Sequence, residues 1–282
     1  TGTESELYCT KVAPDPVVAY NAANTSSNLL TASGLSSFST FTGTKGAISA
    51  RPAIMLQGPF IAGAMTTSLS TLPLGPRTDD TKFPQEQPYN VAPWNYAGTE
   101  SITSIPANTV DWVLVDIRIG TSPATATFAA RKAALLKSDG SITDVDGTSS
   151  LKFYNVAVPS AQNMYVLIRH RNHMPVLSQL GASKNTDGEW SYNFTTGSDK
   201  YYPNTGAGCV QLSTSPVVWG MVSGDPSNDG NIYLTDLNSY WVPSFGAISR
   251  YLIGDFNMDL NVYLNDNNTY WVPNFGKTNV LP

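Results

Sequence analysis

Charged residues are scarce in this chain. Asp, Glu, Lys and Arg make up 13% of its 282 residues, about half of the share that is usual in globular proteins. The net charge of −5 and an isoelectric point near 4.9 exclude a nucleic-acid binder that works through a basic patch. Only two His and two Cys are present, which leaves little material for a zinc or thiol catalytic centre.

Long apolar runs and familiar catalytic motifs are also missing. No run of about eighteen apolar residues occurs, so we expect no transmembrane segment. No basic segment followed by an apolar run stands at Thr1, so we expect no signal peptide in this sequence. Gly-x-Ser-x-Gly, P-loop and HExxH patterns are absent, and the expectation is a protein without catalytic activity. A hydrolase with a carboxylate pair distant in sequence stays open, although Glu86, Glu100 and Glu189 are isolated candidates.

Turn-forming residues are abundant, with 19 Pro and 22 Gly, and they favour short strands over long helices. The clearest strand runs from Asp111 to Ile119, where apolar and mixed residues alternate. Alternation places one set of side chains toward the core: Val113, Val115, Ile117 and Ile119. The other set lies on a face that is expected to be partly covered and partly exposed to solvent: Trp112, Leu114, Asp116 and Arg118.

Further short strands are predicted at 133–136, 151–157 and 164–169, and Asp139-Gly140 is predicted to form a hairpin turn. Short strands with regular turns and few helix signals predict a mainly β protein with a β-sandwich domain over about residues 1–215. Residues 216–282 form the second predicted domain.

The N-terminal segment, about residues 1–48, has very low charge. Between Ala19 and Ala50 the only charged residue is Lys45. Two interpretations stay open for this segment. It forms strands and loops that pack on its own domain, or it is an arm held by a neighbouring subunit.

An internal repeat occupies the C-terminal part of the chain. Fourteen of the 23 positions in 224–246 recur in 254–276, at an offset of 30 residues. Such identity indicates duplication of one structural unit.

Each repeat carries oxygen-bearing side chains at positions 1, 3, 5 and 12 of a twelve-residue loop, with a backbone carbonyl offered at position 7. That spacing suits a hard cation such as Ca²⁺. We therefore predict two Ca²⁺ sites, although Asp, Asn and Ser also form turns and helix caps without any ion. The predicted ligands are Asp225, Ser227, Asp229, Asn231 and Asp236 in the first loop, and Asp255, Asn257, Asp259, Asn261 and Asp266 in the second.

These two units resemble dockerin-type calcium-binding repeats, which are EF-hand-like loops each followed by one helix. The resemblance covers residues 224–276 and implies a small C-terminal domain with two Ca²⁺ loops and short helices. Gly230 stands at position 6 of the first loop, but Leu260 replaces it in the second. Because position 6 needs a positive φ, the first loop matches the pattern more closely than the second. Ile232 and Val262, at position 8, are expected to hold the paired loops together.

The predicted helices are expected to end after about two turns, at Pro243 and Pro273. The Tyr-Trp pairs at 240–241 and 270–271 then form either the core between the two repeats or a platform for sugar or a partner.

Cys9 and Cys209 form an even pair, which in a secreted protein favours a disulfide, with two buried free thiols as the alternative. His170 and His173 favour a polar turn at a strand end over a metal pair or an anion site.

A second resemblance involves the stretches 56–60, 87–96, 111–115 and 169–173, which include Leu-Gln-Gly-Pro-Phe and Arg-His-Arg-Asn-His. They look like a module found in large surface proteins of Bacteroidetes-type bacteria. This resemblance implies secretion and display at the cell surface.

Together these features predict a secreted, calcium-stabilised structural or adhesive surface protein that self-assembles as a homo-oligomer, filament or surface layer through strand or arm exchange. The alternative is a binding module, with a cohesin-like protein docked on the repeats and a glycan bound through Trp94, Tyr96 or Trp112.

Overall fold

A computed structural model describes residues 7–11, 18–22, 24, 26–27, 31, 41–45 and 47–282. The described chain is mainly β, as the turn-rich sequence predicts. Its strands are β1 Leu7–Lys11, β2 Val18–Ala22, β3 Phe41–Lys45, β4 Ala47–Ala53, β5 Phe60–Ile61, β6 Ala64–Met65, β7 Leu74–Gly75, β8 Phe83–Pro84, β9 Thr109–Gly120, β10 Thr127–Lys137, β11 Ile142–Thr143, β12 Leu151–Tyr154, β13 Asn163–His170, β14 His173–Ser178, β15 Ser183–Lys184, β16 Glu189–Asn193, β17 Tyr201–Tyr202, β18 Cys209–Thr214 and β19 Val217–Met221.

Two sheets dominate the fold. The larger has the strand order β11-β10-β9-β13-β14-β17, and the smaller has the order β12-β4-β16-β15. Every pair in the larger sheet is antiparallel, whereas β16 pairs with β4 in parallel. The first three strands form a separate sheet, in the order β2-β1-β3. One residue separates β3 from β4, so the chain passes directly from this small sheet into the four-stranded one.

The main core gathers apolar side chains from both larger sheets. Alternate residues of β4 and β12 are buried because one face of each strand points inward. Each large aliphatic side chain buried in this way contributes about 1.5–3 kcal/mol. The shared cluster includes Ile48, Ala50, Leu151 and Phe153 from the smaller sheet, and Val113, Val115 and Ile117 from the larger.

Strand β9 includes the whole predicted strand, and its second face is covered at Trp112, Leu114 and Asp116 but partly exposed at Arg118, as expected. Trp112 and Leu114 are fully buried, as are the core-facing valines. The segment before the strand covers this face. The indole of Trp112 donates to the carbonyl of Pro84 at 3.0 Å, and the hydroxyl of Tyr89 donates to the carbonyl of Trp112 at 2.7 Å. Sequence alternation could not show a cover that comes from a different part of the chain.

The predicted hairpin turn at Asp139-Gly140 lies between β10 and β11. Gly140 has φ +86°, a conformation that glycine adopts without the steric penalty of a side chain. The predicted strand at 133–136 is part of the longer β10, and those at 151–157 and 164–169 correspond to β12 and β13.

The C-terminal part contains two short helical segments, which follow the two predicted loops. The first, 234–244, consists of Leu234–Asp236, a π-helical turn at Leu237–Trp241, and Val242–Ser244. The second, 266–274, consists of a π-helical turn at Asp266–Trp271 followed by Val272–Asn274. Single 3₁₀ turns lie at Ser68–Thr71 and Ser198–Lys200.

The helical segments end at Ser244 and Asn274, one residue after Pro243 and Pro273, so the expected ends are confirmed to within one residue. Val242 has φ −56° and ψ −46°, and the equivalent Val272 has φ −55° and ψ −47°. Both residues before the prolines are therefore helical. The wide π-helical turn that precedes each proline lacks the regular hydrogen bond with which a proline ring conflicts, so the helix continues through the proline and ends one residue later. None of the helices in the described ranges is long and apolar enough to cross a membrane.

Candidate metal centre

The first loop follows directly after β19 and buries two of its carboxylates. Asp225 is fully buried and Asp236 is 1% exposed. Both carboxylates accept hydrogen bonds from the loop itself. Asp225 Oδ2 accepts the backbone N–H of Gly230 at 3.0 Å, and Asp236 Oδ1 accepts that of Ser227 at 3.2 Å. The twelve residues therefore curl around the two buried carboxylates.

The second loop repeats this arrangement. Asp255 is fully buried and Asp266 is 1% exposed. Asp255 Oδ2 accepts the backbone N–H of Leu260 at 2.8 Å, and Asp266 Oδ1 accepts that of Asn257 at 3.1 Å. The same positions thus fulfil the same roles in both repeats, as expected for a duplicated unit.

Burial shifts the acidity of these carboxyl groups upward. Loss of hydration, together with the neighbouring charge of Asp236, raises the pKa of Asp225 to about 8. Loss of hydration raises the pKa of Asp255 to about 8, although the positive charge of Arg171 opposes this rise, and the charge of Asp266 adds to it. The pKa of Asp266 is raised to about 6 by burial. None of these four buried carboxylates forms an ion pair with any residue that the structure describes.

The donor set fits a hard divalent cation. Each loop offers only oxygen ligands, from carboxylates, a hydroxyl or amide side chain and a backbone carbonyl, which is the chemistry that Ca²⁺ prefers. A cation between the carboxylates would remove their mutual repulsion and their desolvation cost. Within the described ranges, however, no three His, Cys, Asp or Glu side chains converge as a metal-binding group.

The third acidic residue of each loop, Asp229 or Asp259, explains why three acidic side chains do not converge there. Asp229 is exposed, and its Oδ1 accepts the backbone N–H of Asn231 at 2.8 Å. Asp259 is likewise exposed and accepts the backbone N–H of Asn261 at 2.9 Å. Closure of either loop around an ion therefore requires this one carboxylate to turn inward.

The position-8 residues hold the two repeats together, but through crossed pairing. The N–H of Ile232 in the first loop donates to the carbonyl of Lys277, after the second helical segment, at 3.0 Å. The N–H of Val262 in the second loop donates to the carbonyl of Ala247, after the first helical segment, at 2.9 Å. Each loop is thus attached to the exit of the other repeat, and neither repeat is complete alone.

The two tryptophans of the repeats lie in a small core, which favours the first of the two interpretations of the Tyr-Trp pairs. Trp241 is 8% exposed and Trp271 is 5% exposed. Each packs against the phenylalanine four residues later, with ring centroids 5.0 Å apart in both repeats. Other buried members of this core are Met174, Val222, Ile232, Phe256 and Val262.

The turn at 169–173 attaches both loops to the larger sheet. The carbonyl of Asn172 accepts the N–H of Gly224, at the start of the first loop, at 2.9 Å. Its side-chain Nδ2 donates to the carbonyl of Asp255, at the start of the second loop, at 2.6 Å. Asn228 of the first loop in turn donates to the carbonyl of His170 at 3.0 Å. The sequence suggested a polar turn here, but its location between the two loops depends on contacts more than 50 residues apart.

A fully buried charge cluster lies beneath this turn. Asp111 Oδ2 lies 2.8 Å from Arg171 Nε and 3.1 Å from His170 Nε2, and Asp111 Oδ1 accepts the hydroxyl of Tyr251. The pKa of Asp111 lies below its usual value. Burial alone would raise this pKa, but the charge of Arg171 and the hydrogen bonds from His170 and Tyr251 have the larger, opposite effect. Because Tyr251 belongs to the linker between the repeats, the cluster joins the repeats to β9. Separation of such a buried pair costs about 3–5 kcal/mol.

The Leu-Gln-Gly-Pro-Phe stretch also contacts the repeats. Gln57 Oε1 accepts the N–H of Ser223 at 3.0 Å and the side-chain amide of Asn274 at 2.8 Å. A Cβ atom on Gly58 would lie 2.1 Å from the carbonyl oxygen of Phe256, so this position has no space for a side chain. Two motifs that sequence reasoning assigned to the β domain therefore hold the C-terminal repeats in place.

The remaining predicted residues lie elsewhere. Trp112 is in the core, Trp94 is 9% exposed, and the Tyr96 hydroxyl donates to Glu100 at 2.7 Å. The proposed glycan platform therefore has no exposed surface at Trp112. Cys209 is buried at the start of β18, whereas the side chain of Cys9 lies outside the described residues. The predicted disulfide stays a prediction.

Comparison with known proteins finds no similar protein. No protein-family description, no curated protein and no solved structure matches this chain.

Proposed function

We propose that this chain is a secreted, calcium-stabilised structural or adhesive protein of the cell surface, which assembles with copies of itself. One observation carries the proposal. Two equivalent loops each bury two carboxylates that have no ion-pair partner among the described residues, in a chain with few charges. Burial of carboxylates without an ion-pair partner is costly, and a Ca²⁺ ion in each loop would offset that cost.

The proposal includes a finer description of the fold. The two larger sheets form a β-sandwich around the shared core, and residues 216–282 form a dockerin-like unit with two Ca²⁺ loops. The common buried cluster of β4, β12 and β9 supports the first part. The crossed pairing of the two loops supports the second, because it makes one compact unit from two repeats.

The N-terminal segment is the proposed connector between copies. Its three described strands form a sheet of their own, in which β2 and β3 are edges that pair with no further strand of the described residues. The four-stranded sheet also ends in two edges, β12 and β15. An edge strand readily pairs with a strand from another chain, especially where few charges oppose it.

Deletion of residues 1–45 tests this connector. The deletion leaves β4 intact, whose Ile48 belongs to the main core. We expect the full chain to form polymers visible by electron microscopy in calcium buffer, and the shortened chain to stay monomeric by light scattering while its Ca²⁺ binding is unchanged. Polymers formed equally well by the shortened chain would contradict the assigned connector.

A non-catalytic binding module is the second candidate, and the surface of the repeats favours it. Tyr233, Leu234, Val242 and Phe245 are 45%, 57%, 51% and 51% exposed. Their equivalents Tyr263, Leu264, Val272 and Phe275 are 43%, 57%, 51% and 50% exposed. Exposed apolar patches of this kind mark protein contacts. A pull-down with a cohesin-type domain, next to a glycan array, distinguishes this candidate from self-assembly.

A further inference from the structure

A small cleft of about 140 Å³ lies beside the first loop. It is lined by Pro93, Trp94, Arg131, Arg169 and Asn228. These residues come from the 84–101 segment, from strands β10 and β13, and from the loop, so the cleft exists only where all of them meet.

Arg169 has too few partners for a guanidinium in this position. Its side chain is 22% exposed, and it carries five N–H donors. Its hydrogen bond is a long one, from Nη1 to Asn228 Oδ1 at 3.3 Å. The nearest carboxylate oxygen, Asp116 Oδ2, lies 4.0 Å from Nε. Burial lowers the pKa of Arg169, because the charged form loses hydration that its neighbours do not fully replace.

Asp116 already forms an ion pair with a different arginine, Arg131. Arg131 binds it in a bidentate manner, with Nε 2.5 Å from Oδ1 and Nη2 2.7 Å from Oδ2. This geometry leaves Nη1 of Arg131 without a hydrogen bond among the described residues, and Arg131 lines the cleft. Bidentate pairing with arginine is among the strongest carboxylate interactions, so Asp116 stays paired with Arg131 and does not neutralise Arg169.

The amide of Asn228 cannot accept further donors. Its Oδ1 accepts the indole N–H of Trp94 at 3.0 Å as well as Nη1 of Arg169. Among the described residues, the Nε and Nη2 groups of Arg169 form no hydrogen bond, and Arg169 lines the cleft. Arg118 also lies close enough to influence Arg169 electrostatically, so three arginines surround the single carboxylate of Asp116. In a chain with a net charge of −5, this local excess of positive charge is unusual.

We propose that this cleft is an anion-binding site, in which Arg169, assisted by Arg131, binds a carboxylate group. A planar carboxylate matches the donor fork of arginine, and its single negative charge suits the local excess of cations. Asp225 of the neighbouring loop acts electrostatically on Arg169, and in its ionised form it disfavours a dianion such as phosphate more than a monoanion. The volume accommodates a carboxylate with a few attached carbon atoms. The carboxylate belongs either to a small acid, such as an acidic sugar, or to an acidic side chain of a second copy of this chain.

Nuclear magnetic resonance on the full ¹⁵N-labelled chain tests this site, because Trp94 and Arg169 both carry an N–H at the cleft. Titration with acetate and with glucuronate should shift the Trp94 indole and Arg169 Nε signals in a saturable way, and phosphate should shift them less. Arg169→Gln should weaken binding about ten- to hundredfold, the loss expected for one charge-assisted contact of about 1.5–3 kcal/mol. Arg77→Gln, which removes the same charge between β7 and β8, should leave binding unchanged.

Arg169→Lys keeps the positive charge and serves as a second variant in case Arg169→Gln does not fold. The dispersion of the spectrum shows whether each variant is folded. Arg169→Lys should bind more weakly than the native chain but more tightly than Arg169→Gln. Tighter binding of glucuronate than of acetate would assign the site to an acidic sugar. A shift of the Trp94 indole signal that depends on protein concentration alone, and that is lost in Arg169→Gln, would assign it to a second copy. Absence of any saturable shift, stronger shifts with phosphate than with acetate, or equal binding in Arg169→Gln and the native chain would overturn the proposal.

Discussion

Leu260 adopts the backbone conformation that Gly230 adopts at the same position of the other loop. Their φ angles are +78° and +81°. A positive φ is common for glycine but costs a side chain such as leucine about 1–2 kcal/mol. The second loop therefore keeps the geometry of the first in spite of an unfavourable residue, and the twelve-residue frame is determined by more than its glycine.

Replacement of Leu260 measures this strain. Leu260→Gly removes the strain together with packing against the main core, whereas Leu260→Ala removes packing alone. We expect Leu260→Gly to be more stable than Leu260→Ala by about 1 kcal/mol in urea unfolding, opposite to the usual order in regular structure. If Leu260→Ala is the more stable of the two, the second loop does not have the described backbone.

The equivalent change in the first loop should be harmful. A Cβ atom on Gly230 would lie 2.6 Å from the carbonyl oxygen of Asn279, in addition to the cost of φ +81°. We expect Gly230→Ala to lower the free energy of unfolding by about 2 kcal/mol. Gly246→Ala is the matched control, since its φ is +88° but nothing lies within 4 Å of the added atom. A loss no larger than that of the control would show that the contact with Asn279 is absent.

Asn172 is predicted to support the second loop through its side chain. Asn172→Ala removes the bond to the carbonyl of Asp255 and leaves buried polar groups without partners, which costs about 2 kcal/mol. Its backbone contact with Gly224 persists in the variant, so Ca²⁺ affinity should fall about tenfold or more at the second site and little at the first. Asn238→Ala, at an exposed asparagine, serves as the control. Calorimetric titration that shows equal losses at both sites would contradict this role.

The buried histidines predict a loss of stability in acid. Burial holds the pKa of His173 well below 6.5, and its Nε2 accepts the N–H of Gly58 at 3.1 Å, so the folded protein keeps this ring neutral. The unfolded chain takes up a proton below about pH 6.5. The contribution is therefore fully present above pH 6.5 and is lost as the pH falls, by about 1.4 kcal/mol per pH unit.

Comparison of the native chain with His173→Gln isolates this term, because the other titrating groups are common to both. Urea unfolding of the two proteins in calcium buffer from pH 7 to pH 5 should show a steeper decline for the native chain. Parallel curves would mean that His173 titrates alike in the folded and unfolded states.

Local patterns in the sequence predicted local structure well. Alternation located β9, Asp139-Gly140 located a hairpin turn, and the 30-residue offset located two equivalent loops. Residues joined by distant contacts were not predictable in this way. Neither the pairing of Ile232 with Lys277 nor the location of Asn172 between Gly224 and Asp255 has any signal in spacing or periodicity. Such contacts depend on how completed elements pack, and they decide here how the loops are held.

Calcium binding by the two loops is the central claim, and calorimetric titration combined with thermal unfolding tests it most directly. We expect two Ca²⁺ ions per chain, with dissociation constants of about 10⁻⁴–10⁻³ M, the range of extracellular modules. Saturation to about 100 times the dissociation constant should add about 2.7 kcal/mol per site, and a chelator should remove it.

Paired variants separate the ion from the loop itself. Asp225→Asn with Asp255→Asn should abolish both binding events, yet should stabilise the metal-free protein, because folding no longer opposes the ionisation of two carboxyl groups whose pKa it raises to about 8. Asp187→Asn, at an exposed aspartate, should change neither property. Two bound ions and a calcium-dependent rise in Tm that the double variant lacks are the predicted result. A native chain that binds no Ca²⁺ at millimolar concentration, with the same Tm in calcium and in chelator, would contradict the account.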